Sequence, residues 1–403
     1  MDYEASEYVY TKVPPVPVGS KLAEYPGGWT ECFVSGHVKR QIYSTPGFPK
    51  IPVPPTGGSP PYRISPAGTK GLGMFATRLI RGGDVILDER PLLVVPITIA
   101  GFKGDVKTFM SLTREKQMQL LRQEWAENMK VAFDRMPEEN QKAFMELYNS
   151  HEHDDNSEIA GRIRTNGLAA GELRDKDTTG AVGLYSATCK DSSRINHSCC
   201  PNAIYRWIPE SFSMRVRAVR DIPPGTEISI PYCDTLASAA ERAVALASYG
   251  ITSCNCSPSC RDPKLSKISD ERRFRFKSQI IALTPPFEKP KPGVPKDAWV
   301  APALERLREL EEEQLESTSE YKRTVHQLVN IYIFLQDIGK AFLYGRKLHA
   351  ICKARGELKE YPPFLSTKEG IKNSSQWKMA EMQKMMGSSM PGGRGIPVLM
   401  SFA

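Results

Sequence analysis

RINHSCCPNA, residues 194–203, packs hydrogen-bonding side chains, metal-capable thiols and a chain-directing proline into one short stretch. Taken alone, Asn196 and His197 are as well explained as satisfied polar groups in a core. Two further stretches change the weighting: GLGMFATR at 71–78 and GTEISIPYCD at 225–234. A Gly-x-Gly turn beside a strand lets backbone approach a ligand, although most such pairs are only turns. This one lacks the third glycine and the opening helix of a dinucleotide fingerprint, so a Rossmann reading is rejected. The last stretch is an apolar strand that ends in Tyr232 soon after Pro223-Pro224-Gly225, and a strand tyrosine is most often core.

The surrounding composition sets bounds. With 403 residues, 40% hydrophobic and 25% charged, the chain reads as globular and exceeds one ordinary core, so two folded units plus tails are expected. No apolar run reaches membrane-spanning length, so no membrane partner is expected. The opening MDYEASEYVYTKVPP has acids, tyrosines and prolines where a secretory signal needs a basic start and an apolar core. The net charge of +8 is dispersed; its densest basic patch, Arg272, Arg273, Arg275 and Lys277, reads as a solvated face. Stacking aromatics and a basic stripe are both missing, so no direct sequence-specific nucleic-acid contact is expected.

Twelve of the 32 prolines fall in the first 66 residues, which reads as an extended or disordered arm over 1–61. From Tyr62, short β-type runs alternate with glycine turns. Helix formers with apolar residues three and four apart fill about 105–160, a helical insertion, before β-type segments return up to residue 234. Residues 263–297 read as a linker around a proline-rich break. Residues 298–358 read as a helical module whose YKRTVHQLVNIYIFLQDIGKAFLYGRKLHAICKARGE resembles a tetratricopeptide hairpin, and 359–403 as a flexible tail. A lone hairpin cannot bury its own face, so it is expected to pack on the helix near 302–316 or on the β-unit.

Nine cysteines in so long a chain, five of them at 199–200 and 254–260, point to metal rather than a disulfide framework and to a reducing compartment, nucleus or cytoplasm. Cys254, Cys256 and Cys260 offer three thiolates in a tight loop over 235–262. Tetrahedral zinc wants four, so one ligand must come from elsewhere.

Taken in order, GxGxFA, NHSC-PN and G-x-E-I-x-I-x-Y resemble the SET-domain methyltransferases. Within them the chain is most similar to the SMYD-type branch and its fungal relatives, since RTNGLAAG precedes GLYSATCKDSSRINHSC with helices inserted upstream. The resemblance covers roughly residues 62–262. It implies an α+β fold of small antiparallel sheets with a threaded C-terminal segment, a post-SET zinc loop, and a tetratricopeptide-like helical region. A MYND finger is not expected, because no cysteine lies between Cys32 and Cys189.

The same resemblance implies an S-adenosylmethionine-dependent protein lysine N-methyltransferase, acting as a monomer on a protein that presents a lysine. Lys70, Gly71, Leu72, Gly73 and Met74 would pass by the cofactor, Asn166 would help hold it, and Asn196 and His197 would contact it. Tyr232 would be the first catalytic tyrosine, at the cofactor, and Tyr249 the second, with Tyr249 and Tyr185 lining the lysine channel. Cys199 would be the fourth zinc ligand beside Cys254, Cys256 and Cys260. Two other readings stay open on the sequence: a non-catalytic SET scaffold that binds partners through its helices, and a methyltransferase of small molecules or of residues other than lysine.

Overall fold

The computed structural model describes residues 4–17, 19–98, 106–152, 157–175, 183–278 and 297–389. Three small sheets form the first part. β1 (Tyr8–Val13), β2 (Thr30–Ser35), β6 (Leu93–Pro96), β8 (Leu184–Thr188) and β7 (Gly167–Arg174) make a five-stranded sheet in the order β1-β2-β6-β8-β7. β5 (Val85–Glu89), β10 (Ser213–Ala218) and β9 (Ala203–Ile208) make the second, and β11 (Glu227–Ile228), β4 (Leu72–Ala76) and β3 (Tyr62–Pro66) the third.

The extended or disordered arm expected over 1–61 is therefore overturned for residues 8–44, which carry two sheet strands and a helix, whereas 45–61 holds no helix or strand and residues 1–3 and 18 lie outside the described residues. β2 pairs antiparallel with β1 along its whole length and parallel with β6, and every residue of TECFVS is buried. Strand alternation explains this: Cys32 and Val34 enter the central core, while Phe33 on the opposite face packs with Leu93, Met129 and Phe144. The prolines punctuate the segment without dissolving it. α1 (Gly36–Ser44) follows, capped by the Ser35 hydroxyl. Arg90 ties the irregular stretch after it, at Lys50 O, to the turn before β2, at Pro26 O and Gly28 O, and to Ser211 O between β9 and β10, at 2.6–3.1 Å.

The helical insertion is observed as α2 (Val106–Ser111), α3 (Arg114–Asp134) and α4 (Glu138–Met145), and α5 (Glu158–Asn166) leads directly into β7. Its start near residue 105 lies outside the described residues. α3 covers the first sheet through Met129 and Ala132, through Tyr10 Oη donating to Asn128 Oδ1 (2.8 Å), and through Arg135 on Glu31 (2.6 Å).

After β11 come α6 (Ala239–Ala247), α7 (Pro258–Arg261) and α8 (Pro263–Ser278). The linker expected over 263–297 is corrected by α8, which buries Ser269, Arg273 and Phe276; residues 279–296 lie outside the described residues. The basic patch on this helix is only in part a solvated face: Arg273 is fully buried and Arg272 pairs with Glu309 and Glu313, while Arg275 and Lys277 stay exposed and pair with Glu309 and Asp234. α9 (Ala301–Glu312), α10 (Ser319–Phe334) and α11 (Ile338–Arg355) build a second core from Leu307, Leu310, Val325, Leu328, Tyr332, Ala341 and Leu348. The flexible tail expected over 359–403 is corrected in turn. α12 (Lys368–Asn373) and α13 (Ser375–Ser389) add Ile371 and Trp377 to that core, and residues 390–403 lie outside the described residues. α11 docks on β9 and β10, where Arg206 donates to Arg355 O (2.9 Å) beside Gly356, the left-handed cap of the helix. Among the described residues no helix is long and apolar enough to cross a membrane.

Candidate functional site

Residues 195–198 run beside 228–232 in a parallel bridge, with Ser198 N–H on Ile230 O and Ile230 N–H on Asn196 O, both 3.1 Å. Side chains lock the same pairing. Tyr232 N–H donates to His197 Nδ1 (3.1 Å), and Tyr232 Oη donates to Ile195 O (2.7 Å).

The glycine stretch joins them through one carboxylate. Glu227 accepts from Asn196 Nδ2 (2.8 Å) and from Lys70 Nζ (2.6 Å), and Asn196 Nδ2 also donates to Leu72 O (3.1 Å). A Cβ on Gly73 would lie 2.9 Å from both Asn196 Nδ2 and Glu227 Oε1, so only glycine allows this approach. Gly71 adopts φ 72° with open space where a Cβ would stand. Met74, in contrast, sends its side chain wholly into the core, so only its backbone faces this group.

Next to this junction lies a small cleft of about 50 Å³ lined by Asn166, Ser193, Ile195, Tyr205, Tyr232 and Tyr249 among others. Asn166 ends α5, where its Nδ2 donates to Tyr148 O (2.7 Å) and Arg162 O (2.8 Å) and its carbonyl accepts from Ser193 Oγ (2.8 Å). The Tyr232 and Tyr249 rings sit 4.8 Å apart at 48°, and His197 lies 5.5 Å from Tyr232. Burial, reinforced by Tyr249, raises the Tyr232 phenol well above its ordinary value, so it stays protonated and acts through position and polarity.

Lys70, Gly71, Leu72, Gly73, Asn196 and His197 do not line the cleft itself; they form the adjoining junction. Tyr185 belongs to neither, and its expected place in the channel is corrected. It is buried in the first sheet, where its hydroxyl accepts from Ser35 N (3.1 Å) and donates to Asp175 Oδ1 (3.1 Å). Tyr205 takes that place in the wall. The alternation Ala203, Tyr205, Trp207, on the strand that leaves RINHSCCPNA, carried the signal.

Four cysteines converge behind the junction. The Sγ atoms of Cys199 and Cys254 are 3.9 Å apart, those of Cys254 and Cys256 3.3 Å, and those of Cys256 and Cys260 3.7 Å. Four sulfurs around one tetrahedral zinc stand about 3.8 Å apart for Zn–S near 2.3 Å, so the set fits the ion. Hydrogen bonds from Cys199 and Cys254 draw the Cys256 thiol down to about 6, and the Cys199 backbone N–H adds to this (3.1 Å). His197 Nε2 lies 3.3 Å from Cys199 Sγ, and His197, Cys199, Cys254 and Cys256 have ligand atoms all within 4.8 Å of one another. Yet His197 Nδ1 already accepts the Tyr232 N–H, which puts the imidazole proton on Nε2. His197 is thus a donor to sulfur, leaving the four thiols as the donor set. Burial pushes this imidazole down to about 4, so it is neutral.

Residues 71–233 match the family model described as SET domain. Over 213 residues the chain is 32% identical to the histone-lysine N-methyltransferase set5 of Schizosaccharomyces pombe, covering 53% of this chain and 54% of that one. Over 184 residues it is 27% identical to the N-lysine methyltransferase SMYD2 of Homo sapiens, covering 41% and 40%. The chain thus spans about half the length, or less, of these curated relatives. Among solved structures, the Neurospora SET domain protein DIM-5, a histone lysine methyltransferase, aligns over 44% of this chain and 53% of its own at 17% identity, with a TM-score of 0.24.

Proposed function

We infer that this chain, which carries a SET domain over residues 71–233, is a protein lysine N-methyltransferase that uses S-adenosylmethionine and holds one structural zinc ion. The observation that carries the reading is the convergence of Glu227, Asn196, Lys70 and the Gly71–Gly73 turn beside a cleft walled by three tyrosines. Gly71, with nothing within 4 Å of its missing Cβ, leaves the backbone face open to a ligand, and Asn196 beside Leu72 and Asn166 in the cleft wall offer polar groups. When bound, S-adenosylmethionine would supply a methyl group activated by its sulfonium.

The chain's own residues would do the rest. A free lysine has a pKa of about 10.4, so at pH 7 only a few in ten thousand are neutral, a deficit of roughly 4–5 kcal/mol. Tyr205, Tyr232 and Tyr249 wall an entry that disfavours the ammonium by desolvation, although their ring faces offset part of that by cation–π attraction. The Tyr232 hydroxyl, fixed by Ile195 O, would orient the amine in line with the methyl. The zinc reading rests on the four-sulfur geometry, which would tie the loop carrying Tyr249 to the strand carrying His197. The grouping of five cysteines at 199–200 and 254–260, a metal-type pattern rather than a disulfide framework, supports a reducing compartment, nucleus or cytoplasm.

Titration calorimetry with S-adenosylmethionine, paired with labelled methyl transfer to mixed histones and to cell lysate, tests the proposal. Mass spectrometry should find the label on lysine Nζ. Tyr232→Phe should bind the cofactor yet lose about 100-fold or more in transfer rate, as expected for a positioned polar group acting in the transition state. Cofactor binding without transfer to any protein would favour a scaffold, and unchanged transfer by Tyr232→Phe would refute its role.

A further inference from the structure

Three consecutive carbonyls, those of Cys199, Cys200 and Pro201, follow directly on the His197 junction, and two arginines hold them from behind. Arg273 of α8 is 0% exposed. Its Nη1 donates to Cys199 O (3.4 Å) and to Thr235 O, three residues after Tyr232, and its Nε donates to Ser269 Oγ (3.0 Å). Arg220, just past β10, donates to Cys200 O and Pro201 O, both at 2.8 Å. One turn between α9 and α10 anchors both. Glu313 Oε2 lies 3.4 Å from Arg273 and accepts from Ser269 Oγ (2.6 Å), while Glu316 Oε2 lies 2.9 Å from Arg220 and Gln314 Oε1 accepts from it at 3.1 Å.

That turn is itself held in an uncommon shape. Gln314 sits at φ 54°, a left-handed conformation that a non-glycine residue keeps only where its surroundings enforce it, and fully buried Leu315 beside it is such an anchor. A fixed turn can present two carboxylates at a set spacing; a loose one could not. Arginine suits the task, because its planar fork reaches several acceptors in one geometry.

We propose that residues 313–316 form a positioning element for the cleft: acting through Arg273 and Arg220, they fix the 199–201 backbone and Thr235, and with them the pairing of His197 with Tyr232. Arg273, Arg220, Glu313 and Glu316 are positioning residues in this scheme, and none touches the cleft. The C-terminal helices then do more than pack, since any partner or ligand that shifts the α9–α10 turn would alter the methyl-donor site. The proposal rests on the reading of that site given above.

The test uses the full chain with Glu313→Gln and Glu316→Gln, singly and together, and Glu305→Gln, an exposed partner of Arg308, as control. Hydrogen exchange of backbone amides is followed alongside S-adenosylmethionine affinity. In the double variant, exchange over 196–203 and 230–236 should rise by about tenfold while β1 and β2 stay unchanged, the pattern of a local opening. Its dissociation constant for the cofactor should rise by about tenfold, with the control unaffected. Should the double variant misfold, Glu316→Gln alone should show the same local pattern more weakly. Exchange confined to 313–316 and α8, or raised evenly across the chain, overturns the proposal. If the wild type binds no cofactor, the methyl-donor reading fails on its own, and the exchange pattern still decides whether the clamp exists.

Discussion

Glu89, at the end of β5, supports the floor of the cleft from below. Its Oε1 accepts from Ser192 N–H and Ser192 Oγ, both 2.6 Å, and Asp191 beside it accepts from Tyr62 Oη (2.7 Å). Burial, with the Asp191 charge added, pushes the Glu89 carboxyl up to about 7. The folded state therefore holds a proton that the unfolded state releases near 4.5. Stability from this group is complete below pH 4.5 and is lost as pH rises through 7, by roughly 1–3 kcal/mol. Glu89→Gln keeps the acceptor and removes the charge, so melting curves at pH 5, 6, 7 and 8 should show its advantage over wild type growing with pH. A constant difference would contradict the assignment. Residues of this kind were not legible in advance, because nothing in DERPLL marks which acid is buried. Asn196 and Tyr232 were legible because their motifs fix both residue type and order, and Tyr249 only through the family resemblance. Tyr185 was misplaced for a definite reason: its partners, Ser35 and Asp175, include a strand end from the segment read as an arm.

At the scale of elements, β2 decides how far the fold reaches. Its Glu31 side chain is fully buried and bonded to Arg135 at the end of α3, and burial raises its carboxyl despite that partner. Arg135 is 42% exposed, so the pair itself contributes little, but removing the arginine leaves the buried Glu31 carboxylate without its partner. Arg135→Ala should therefore cost about 1–2 kcal/mol in urea unfolding, and adding Glu31→Gln should recover most of it. Additive losses would show that the two groups are not coupled. Proline density hid this strand: averaging over 1–61 masks YVYTKV and TECFVS, both β-rich and free of proline. α8 was hidden in a similar way by the proline-rich stretch after it, and Arg272 and Arg273 read as exposed because Glu313, which pairs with both, lies 41 and 40 residues further on. Local pattern reports propensity, whereas cover comes from partners distant in sequence.

For the molecule as a whole, the four-sulfur cluster is where distant pieces of chain are held together. Cys199 and Cys254 are 55 residues apart, and between them lie β9, β10, β11, α6 and the tyrosines of the cleft. Closing a loop of that length by a cross-link removes unfolded-state entropy equivalent to about 4 kcal/mol in the chain-entropy model, so metal removal should lower stability on that scale. Elemental analysis should find one zinc per chain, and a strong chelator should lower the melting temperature together with S-adenosylmethionine affinity. The choice of fourth ligand is open to a sharper test. If the imidazole proton sits on His197 Nε2, as the Tyr232 N–H bond to Nδ1 requires, then His197→Gln should retain the metal while Cys260→Ser should lose most of it. Retention by Cys260→Ser with loss by His197→Gln would reverse the assignment and move the ion from the 254–260 loop toward the cleft.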